Sequence, residues 1–206
     1  KKSDTLVDLG TGCGIIPFLM LRDGNLKSAA GVDISEEAAA LAKRTSSELK
    51  TDNFTVINSD LNDLKGKIGF GCHTLVTCNP PYKAPNGGLK NNDSVNAVAR
   101  HEIACTLEDI ISISARLLET SGRLCMCHRP ERLSELFTLM SKYKLEPKRM
   151  RLVCQRTGKE PWLVLIEGRK CAKTGMRIEP TLYVYEGDGF SPEMIRIYGP
   201  YKEAYL

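Results

Sequence analysis

The sequence predicts an α/β fold, a mostly parallel sheet with helices between its strands and an antiparallel hairpin near the carboxyl end. Three observations predict it. Short apolar runs at 5–8, 29–33, 54–58, 74–78 and 123–127 alternate with stretches of helical periodicity, the order that sets parallel strands beside crossover helices. A glycine-rich turn, Gly10-Thr11-Gly12-Cys13-Gly14, joins the first run to the first helix. Two late runs, 149–154 and 162–167, are separated only by Gln155 to Pro161, a link that permits nothing but antiparallel pairing.

The bulk properties bound the rest. The 206 residues, 42% hydrophobic and 26% charged, suit one soluble domain spanning 1–206 with a full core. No apolar run approaches membrane-span length. The chain opens on Lys1-Lys2-Ser3-Asp4 without an initiator Met, which predicts a protein short of an N-terminal segment. The eight Cys include no C-x-x-C pair, and His73, His101 and His128 show no ligand spacing. Reduced thiols of a cytoplasmic protein are expected, with no metal site and no disulfide scaffold. The net charge of +4 is unevenly placed: residues 142–177 carry 11 Lys/Arg against 3 Asp/Glu. Either this is a solvated surface or it is a patch for a polyanion such as RNA.

Taken in order, the strand at Thr5–Asp8 runs through the glycine turn into an apolar helix from Ile15 to about Leu21, where Pro17 is tolerated in the first turn. Strand, glycine turn and helix N-terminus are the parts of a nucleotide-cofactor site, because backbone must approach the ligand closely. The dinucleotide pattern G-x-G-x-x-G is not met: the third glycine, Gly14, comes one residue early and Ile15 takes its place. The second strand ends at Asp33, which either accepts both hydroxyls of a ribose or belongs to the N-terminus of the Ala-rich helix opened by Ser35-Glu36-Glu37 and running to about Leu49. The third strand, Phe54–Asn58, leads to Asp60, a ligand acid or a simple loop acid. The fourth, Thr74–Cys78, runs into Asn79-Pro80-Pro81-Tyr82, whose prolines end it. The segment from Lys83 to Asn96 is polar, the place of a substrate clamp or of a loop without function. From Ala97 the pattern is helical, with Ile103, Leu107, Ile110, Ile111, Ile113, Leu117 and Leu118 on one face. Gly122 breaks it, and Arg123–Cys127 is the fifth strand. Pro130 opens a further helix with a core stripe of Leu133, Leu136, Phe137 and Met140. In the tail, Pro180–Tyr185 is one possible short strand.

The run Asp8-x-Gly10-x-Gly12-x-Gly14 resembles the first motif of class I S-adenosylmethionine-dependent methyltransferases, which implies a Rossmann-like, mostly parallel seven-stranded sheet with a C-terminal antiparallel hairpin. The resemblance assigns the cofactor to Asp8, Gly10, Thr11, Gly12, Gly14, Asp33, Ile34, Asp60, Leu61 and Asn79. It sets the methionine ammonium by Asp8, the ribose by Asp33, and the adenine by Asp60 and the Leu61 N–H. Asn79-Pro80-Pro81-Tyr82 is similar to the fourth motif of those members that methylate planar amine or amide nitrogens, and makes Asn79, Pro80 and Tyr82 catalytic. The chemistry fits the residues. An exocyclic amino nitrogen has a delocalised lone pair and is a poor nucleophile. Two acceptors aimed at its N–H bonds, the Asn79 side-chain oxygen and the Pro80 carbonyl, localise that pair towards a sulfonium methyl, and Tyr82 stacks on an extruded base.

The same motif followed by a Gly/Asn/Lys-rich loop and Ala99-Arg100-His101-Glu102 resembles the bacterial tRNA1(Val) adenine-N6 methyltransferase family. That implies tRNA as partner, with Pro81, Lys83, Lys90 and Arg100 on the substrate side. Arg100 contacts a phosphate or braces the loop, or else only forms an intrahelical ion pair with Glu102, and His101 is structural rather than a base. The family carries a segment before the first strand that covers the cofactor, whereas this chain starts almost at that strand. Competing readings are a release-factor glutamine-N5 methyltransferase, which shares the four-residue motif, a DNA adenine methyltransferase, and an RNA-binding module without catalysis. A nicotinamide dehydrogenase is disfavoured by the glycine spacing.

Overall fold

A computed structural model of the protein describes residues 4–24, 26–80 and 105–202. Five strands follow the expected runs: β1 (Thr5–Leu9), β2 (Ser28–Asp33), β3 (Phe54–Asn58), β4 (His73–Cys78) and β5 (Leu118–His128). The helices α1 (Ile15–Arg22) and α2 (Glu36–Glu48) connect β1 to β2 and β2 to β3. Ser35 caps α2 by accepting from the Ala38 N–H at 3.2 Å, and Glu36 and Glu37 favour its positive end. The helix α3 (Leu107–Leu117) precedes β5, and its N-terminus is closed by a reciprocal pair: the Asp109 N–H donates to Thr106 Oγ1 and the Thr106 N–H to Asp109 Oδ2. The residues expected to start this helix, 97–104, lie outside the described residues.

The hairpin is present as β6 (Leu145–Cys154) and β7 (Pro161–Lys170), preceded by α4 (Leu133–Lys142). Both strands are longer than the apolar runs 149–154 and 162–167, because Glu146, Lys148, Arg169 and Lys170 are polar yet still sit in the strands. The expected seven-stranded sheet has eight strands. The tail adds β8 (Arg177–Tyr183), parallel to β6, and the order is β3-β2-β1-β4-β5-β7-β6-β8. A two-stranded ribbon, β9 (Tyr185–Glu186) with β10 (Gly189–Phe190), and α5 (Pro192–Lys202) follow.

Gly122 does not end an element as the sequence suggested. It lies inside β5, where an added Cβ would come within 2.9 Å of the Glu119 carbonyl oxygen and 3.0 Å of that of His73. The strand already begins at Leu118, paired with His73 before an irregularity in register. The glycine permits close approach to β4. Pro130 likewise opens a 3-10 turn, Pro130–Arg132, and α4 starts at Leu133.

Apolar side chains from alternate strand positions bury two faces. Leu6, Ala29 and Leu75 pack with Phe18 of α1 and Ala42 of α2, while Val7, Val32, Val76 and Leu124 pack with Ile111 and Leu117 of α3 and Met140 of α4. Phe18 and Phe54 meet edge to face at 4.7 Å between centroids. Gly31 sits in a tight place beside the glycine turn: a Cβ there would lie 2.7 Å from Thr11 Cγ2 and 3.0 Å from Phe54 Cζ. Gly31→Ala is therefore expected to destabilise by about 1–3 kcal/mol, the usual cost of overpacking. Thermal melts of the two proteins check it, and an unchanged midpoint would contradict the packing described.

Candidate functional site

Because β1 to β4 are parallel, their carboxyl ends share one edge of the sheet, the edge at which open α/β folds take ligands. The order β3-β2-β1-β4 brings the ends of all four strands side by side. Asp8 of β1, Asp33 of β2, Asp60 just past β3 and Asn79 just past β4 all lie there.

The turn after β1 is built for close approach. Gly10, Gly12 and Gly14 all have positive φ, at 68°, 56° and 85°, the region that L side chains enter at a cost. The N–H groups of Gly10 and Thr11 donate to the Val32 carbonyl at 2.9 and 3.0 Å, which ties the turn to β2. Asp33 fixes it further. Its Oδ2 accepts from the Gly12 N–H at 2.8 Å and its Oδ1 from the Ser35 N–H at 2.9 Å. The helix-start reading of Asp33 is met, and the same carboxylate also braces the glycine turn. Ile34 beside it is exposed.

Asp8 is buried under the turn and receives a hydrogen bond from the Thr77 hydroxyl at 2.5 Å. Burial pushes its pKa up to about 6, helped by the nearby Asp33 charge and opposed by the hydroxyls of Thr77 and Thr11. Thr11 Oγ1 sits beside this carboxyl, buried, without a hydrogen bond of regular geometry. An acid half-ionised at about pH 6 beside a buried hydroxyl can take a cationic, hydrogen-bonding group. Asp60 caps the 3-10 turn Leu61–Asp63, its Oδ1 accepting from the Asn62 N–H at 2.8 Å, and Leu61 beside it is half-buried against the core.

Asn79 is exposed at the end of β4 and Pro80 is buried. The Cys127 thiol donates to Asn79 Oδ1 at 2.9 Å. That bond helps orient the amide. Thr77, Asn79 and Cys127 line a cavity of about 400 Å³ together with Ile16, Leu165 and Arg149, within the size range of small-molecule sites. Thr77 and Cys127 escaped the sequence reading. Thr77 was findable, being two residues before Asn79 and so on its face of β4. Cys127 was not, because only the register between β4 and β5 sets it beside Asn79. Pro81, Tyr82, Lys83, Lys90 and Arg100 lie outside the described residues, as does the Ala99-Arg100-His101-Glu102 run.

The basic segment 142–177 does not form one patch. In the hairpin, Leu145 pairs with Lys170 at the amino edge, and Cys154 with Pro161 at the carboxyl edge. Lys144, Lys170 and Lys173 therefore sit at the edge away from Asn79, and Arg156 and Lys159 on the same side as Asn79. Several other cations are already paired: Lys142 with Glu108 at 2.5 Å, Arg149 with Glu167 at 2.7 Å, and Arg151 with Glu193 at 2.6 Å. Alternation and strand reversal scatter what is contiguous in sequence.

The site so described can be set beside known proteins. A family model described as a methyltransferase domain matches residues 1–169. The chain is 29% identical over 202 residues to a tRNA1(Val) (adenine(37)-N6)-methyltransferase of Porphyromonas gingivalis, covering 95% of this chain and 78% of that one. It is 35% identical over 83 residues to a release factor glutamine methyltransferase of Buchnera aphidicola, covering 40% of this chain and 28% of that one. Among solved structures it is similar to a predicted O-methyltransferase from Agrobacterium tumefaciens, with a TM-score of 0.75 at 17% identity, covering 95% of this chain and 88% of the other. It is also similar to a geranyl diphosphate C-methyltransferase from Streptomyces coelicolor in complex with S-adenosyl-L-homocysteine, with a TM-score of 0.61 at 18% identity, covering 82% and 74%. At such identities the structures speak for the fold alone.

Proposed function

The chain belongs to the methyltransferase domain family, and on that premise we propose that it methylates the exocyclic N6 of an adenine in tRNA, with S-adenosylmethionine as methyl donor. The observation that carries the reading is Asn79-Pro80 at the end of β4, on the sheet edge shared with the glycine turn and the raised-pKa Asp8. The P. gingivalis relative and others named for the same tRNA reaction, at 24–29% identity, support the choice of substrate. The donor fits the residues present: the buried, unsatisfied Thr11 hydroxyl and Asp8 suit its ammonium and carboxylate end, Asp33 its ribose, and Asp60 with the Leu61 N–H its adenine. When bound, it supplies an electrophilic methyl on a positive sulfur.

The chain's own residues do the rest. Asn79 Oδ1 and the Pro80 carbonyl accept the two N–H bonds of the amino group, which localises its lone pair on the line of attack. Cys127 holds the Asn79 amide in that orientation. The amino proton becomes acidic as the nitrogen takes on positive charge, and leaves after the bond forms. Positioning and electrostatics carry the rate. The eight cysteines are all free, in keeping with a reducing cytoplasm, and no helix among the described residues is long and apolar enough to cross a membrane.

Mass spectrometry of nucleosides from tRNA treated with the protein and S-adenosylmethionine is expected to show N6-methyladenosine. A second reading, glutamine-N5 methylation of a release factor, is favoured by the B. aphidicola match. Labelling of a release factor with no label in tRNA would establish that reading instead. The division of the basic segment gives a sharper check. Lys159→Glu is expected to weaken tRNA binding about fivefold at moderate salt, while the double reversal Lys144→Glu/Lys173→Glu changes it less than twofold. Filter binding of the three proteins measures this, and equal losses would contradict the assignment of the carboxyl edge as the RNA face.

A further inference from the structure

The last part of the chain holds three exposed rings in one stack. Tyr185 and Phe190, opposite each other in the β9–β10 ribbon, lie 5.4 Å apart at 11° between planes, and Phe190 and Tyr198 of α5 lie 5.6 Å apart at 24°. The Arg156 guanidinium closes one end, 5.4 Å from the Tyr185 ring centre. The rings are 39%, 43% and 47% exposed. Single exposed apolar residues are ordinary, but an aligned group of aromatic rings left in water is the mark of a contact surface. Tyr198, at the end of the stack away from Arg156, is the most exposed of the three rings.

The stack stands on a fixed base. The N–H groups of Val184 and Tyr185 donate to the carbonyls of Cys154 and Gln155 at 3.0 and 2.9 Å, and Ser191 Oγ donates to the Tyr183 carbonyl at 2.6 Å. Met194 beneath it packs in a small core with Val153 and Leu182. Its position is as telling as its shape. The strand β6 ends at Cys154 on the carboxyl edge, so the stack lies on the edge that carries Asn79. The strands β5 and β7 stand between β4 and β6, which sets the two features on the order of 15 Å apart at the usual strand spacing. A single nucleoside in the cavity beside Asn79 would not reach the stack. A polynucleotide would.

We propose that the Tyr185–Phe190–Tyr198 stack is a platform on which an unpaired base of the RNA substrate stacks, at a distance from the base that is methylated. The proposal rests on the RNA reading above. Every nucleobase has a flat face, so such a platform holds the strand without reading its sequence. The exposed Tyr198 ring at the end of the stack receives the base. The Tyr185 end is the poorer place for a phosphate, because Glu186 and Asp188 flank the Gly187 carbonyl to which Arg156 donates.

The test uses fluorescence anisotropy with a labelled anticodon stem-loop RNA, alongside calorimetry with S-adenosylhomocysteine. Tyr198→Ala is expected to weaken RNA binding about 5- to 100-fold. Tyr198→Leu, which keeps apolar bulk but no ring, is expected to weaken it to a similar degree, and Tyr198→Trp to restore it. Cofactor affinity stays unchanged in all three, and the melting midpoint falls by a few degrees at most, about what one lost exposed ring contact costs. Tyr198→Ala binding RNA within twofold of the unsubstituted protein would overturn the proposal, as would full binding by Tyr198→Leu. A stack that instead joins two copies shows itself in sedimentation as a dimer that Tyr198→Ala dissociates, which also overturns it. If the unsubstituted protein binds the cofactor but no RNA, the substrate reading falls first and takes the platform with it, an outcome distinct from a platform variant that still binds.

Discussion

Asn79→Ala is expected to lower the rate of methyl transfer at least 100-fold while S-adenosylhomocysteine binds within a few-fold of its normal affinity. The magnitude follows from the proposed role. One preorganised hydrogen-bonding partner aimed at the charge developing in a transition state is worth a factor on the order of 100 to 1000 in rate. Asn79 is exposed at a strand end, so truncation removes little buried packing, and a thermal melt of the variant checks that it folds. Asn79→Asp separates two contributions. It keeps an acceptor oxygen but places a negative charge near the reacting centre and gives up the amide, so partial activity is expected. Single-turnover methylation of tRNA, read beside calorimetry, distinguishes lost chemistry from lost binding. Retention of full rate by Asn79→Ala would remove the clamp from the mechanism.

Asp8→Asn is expected to move stability and cofactor affinity in opposite directions. The Asp8 carboxyl has its pKa raised from 3.8 to about 6 by burial, so the folded protein favours the protonated acid. The stability this gives is complete below about pH 3.8 and is lost as pH rises through 6. At pH 8 the ionised group then costs up to about 3 kcal/mol. Asparagine cannot ionise and still accepts from the Thr77 hydroxyl. The variant should therefore melt higher than the unsubstituted protein at pH 8, with the difference vanishing near pH 4. Its affinity for a cationic cofactor should fall at least tenfold at pH 8. In the unsubstituted protein the same affinity should drop about tenfold per unit below pH 6, because the ammonium binds the ionised acid. Melting across pH 4 to 8 and calorimetric titrations across pH 5 to 8 check both signs. A variant no more stable at pH 8 would show that Asp8 is not a strained acid at this edge.

The parts of the fold that depend on local pattern were legible in the sequence. The apolar runs ending at Asp33, Asn58 and Cys78 end there in the structure, because a run bounded by a polar residue and a turn leaves little choice of boundary. The glycine turn and Asn79 could be placed on a common edge from strand order alone. What failed was information that exists only between strands. Gly122 looked like a break because its close approach to the backbone of β4 is invisible in one dimension. The basic segment looked like a patch because the hairpin's reversal was not carried through to the positions of its charges. Cys127 needed a register that no local signal supplies. The eighth strand was glimpsed at Pro180–Tyr185 but not its partner, since a parallel pairing across β6 leaves no turn signature of the kind that betrays a hairpin.

That eighth strand has a consequence for solubility. Residues 170–206 fall beyond the family match at 1–169, yet β8 covers the hydrogen-bonding edge that the hairpin would otherwise leave bare along β6. A bare strand edge is a template for another chain. The covering strand is itself a poor template, because Pro180 at its middle offers no N–H to a newcomer. The tail thus ends the sheet where a ninth strand, from a neighbouring molecule, would otherwise begin.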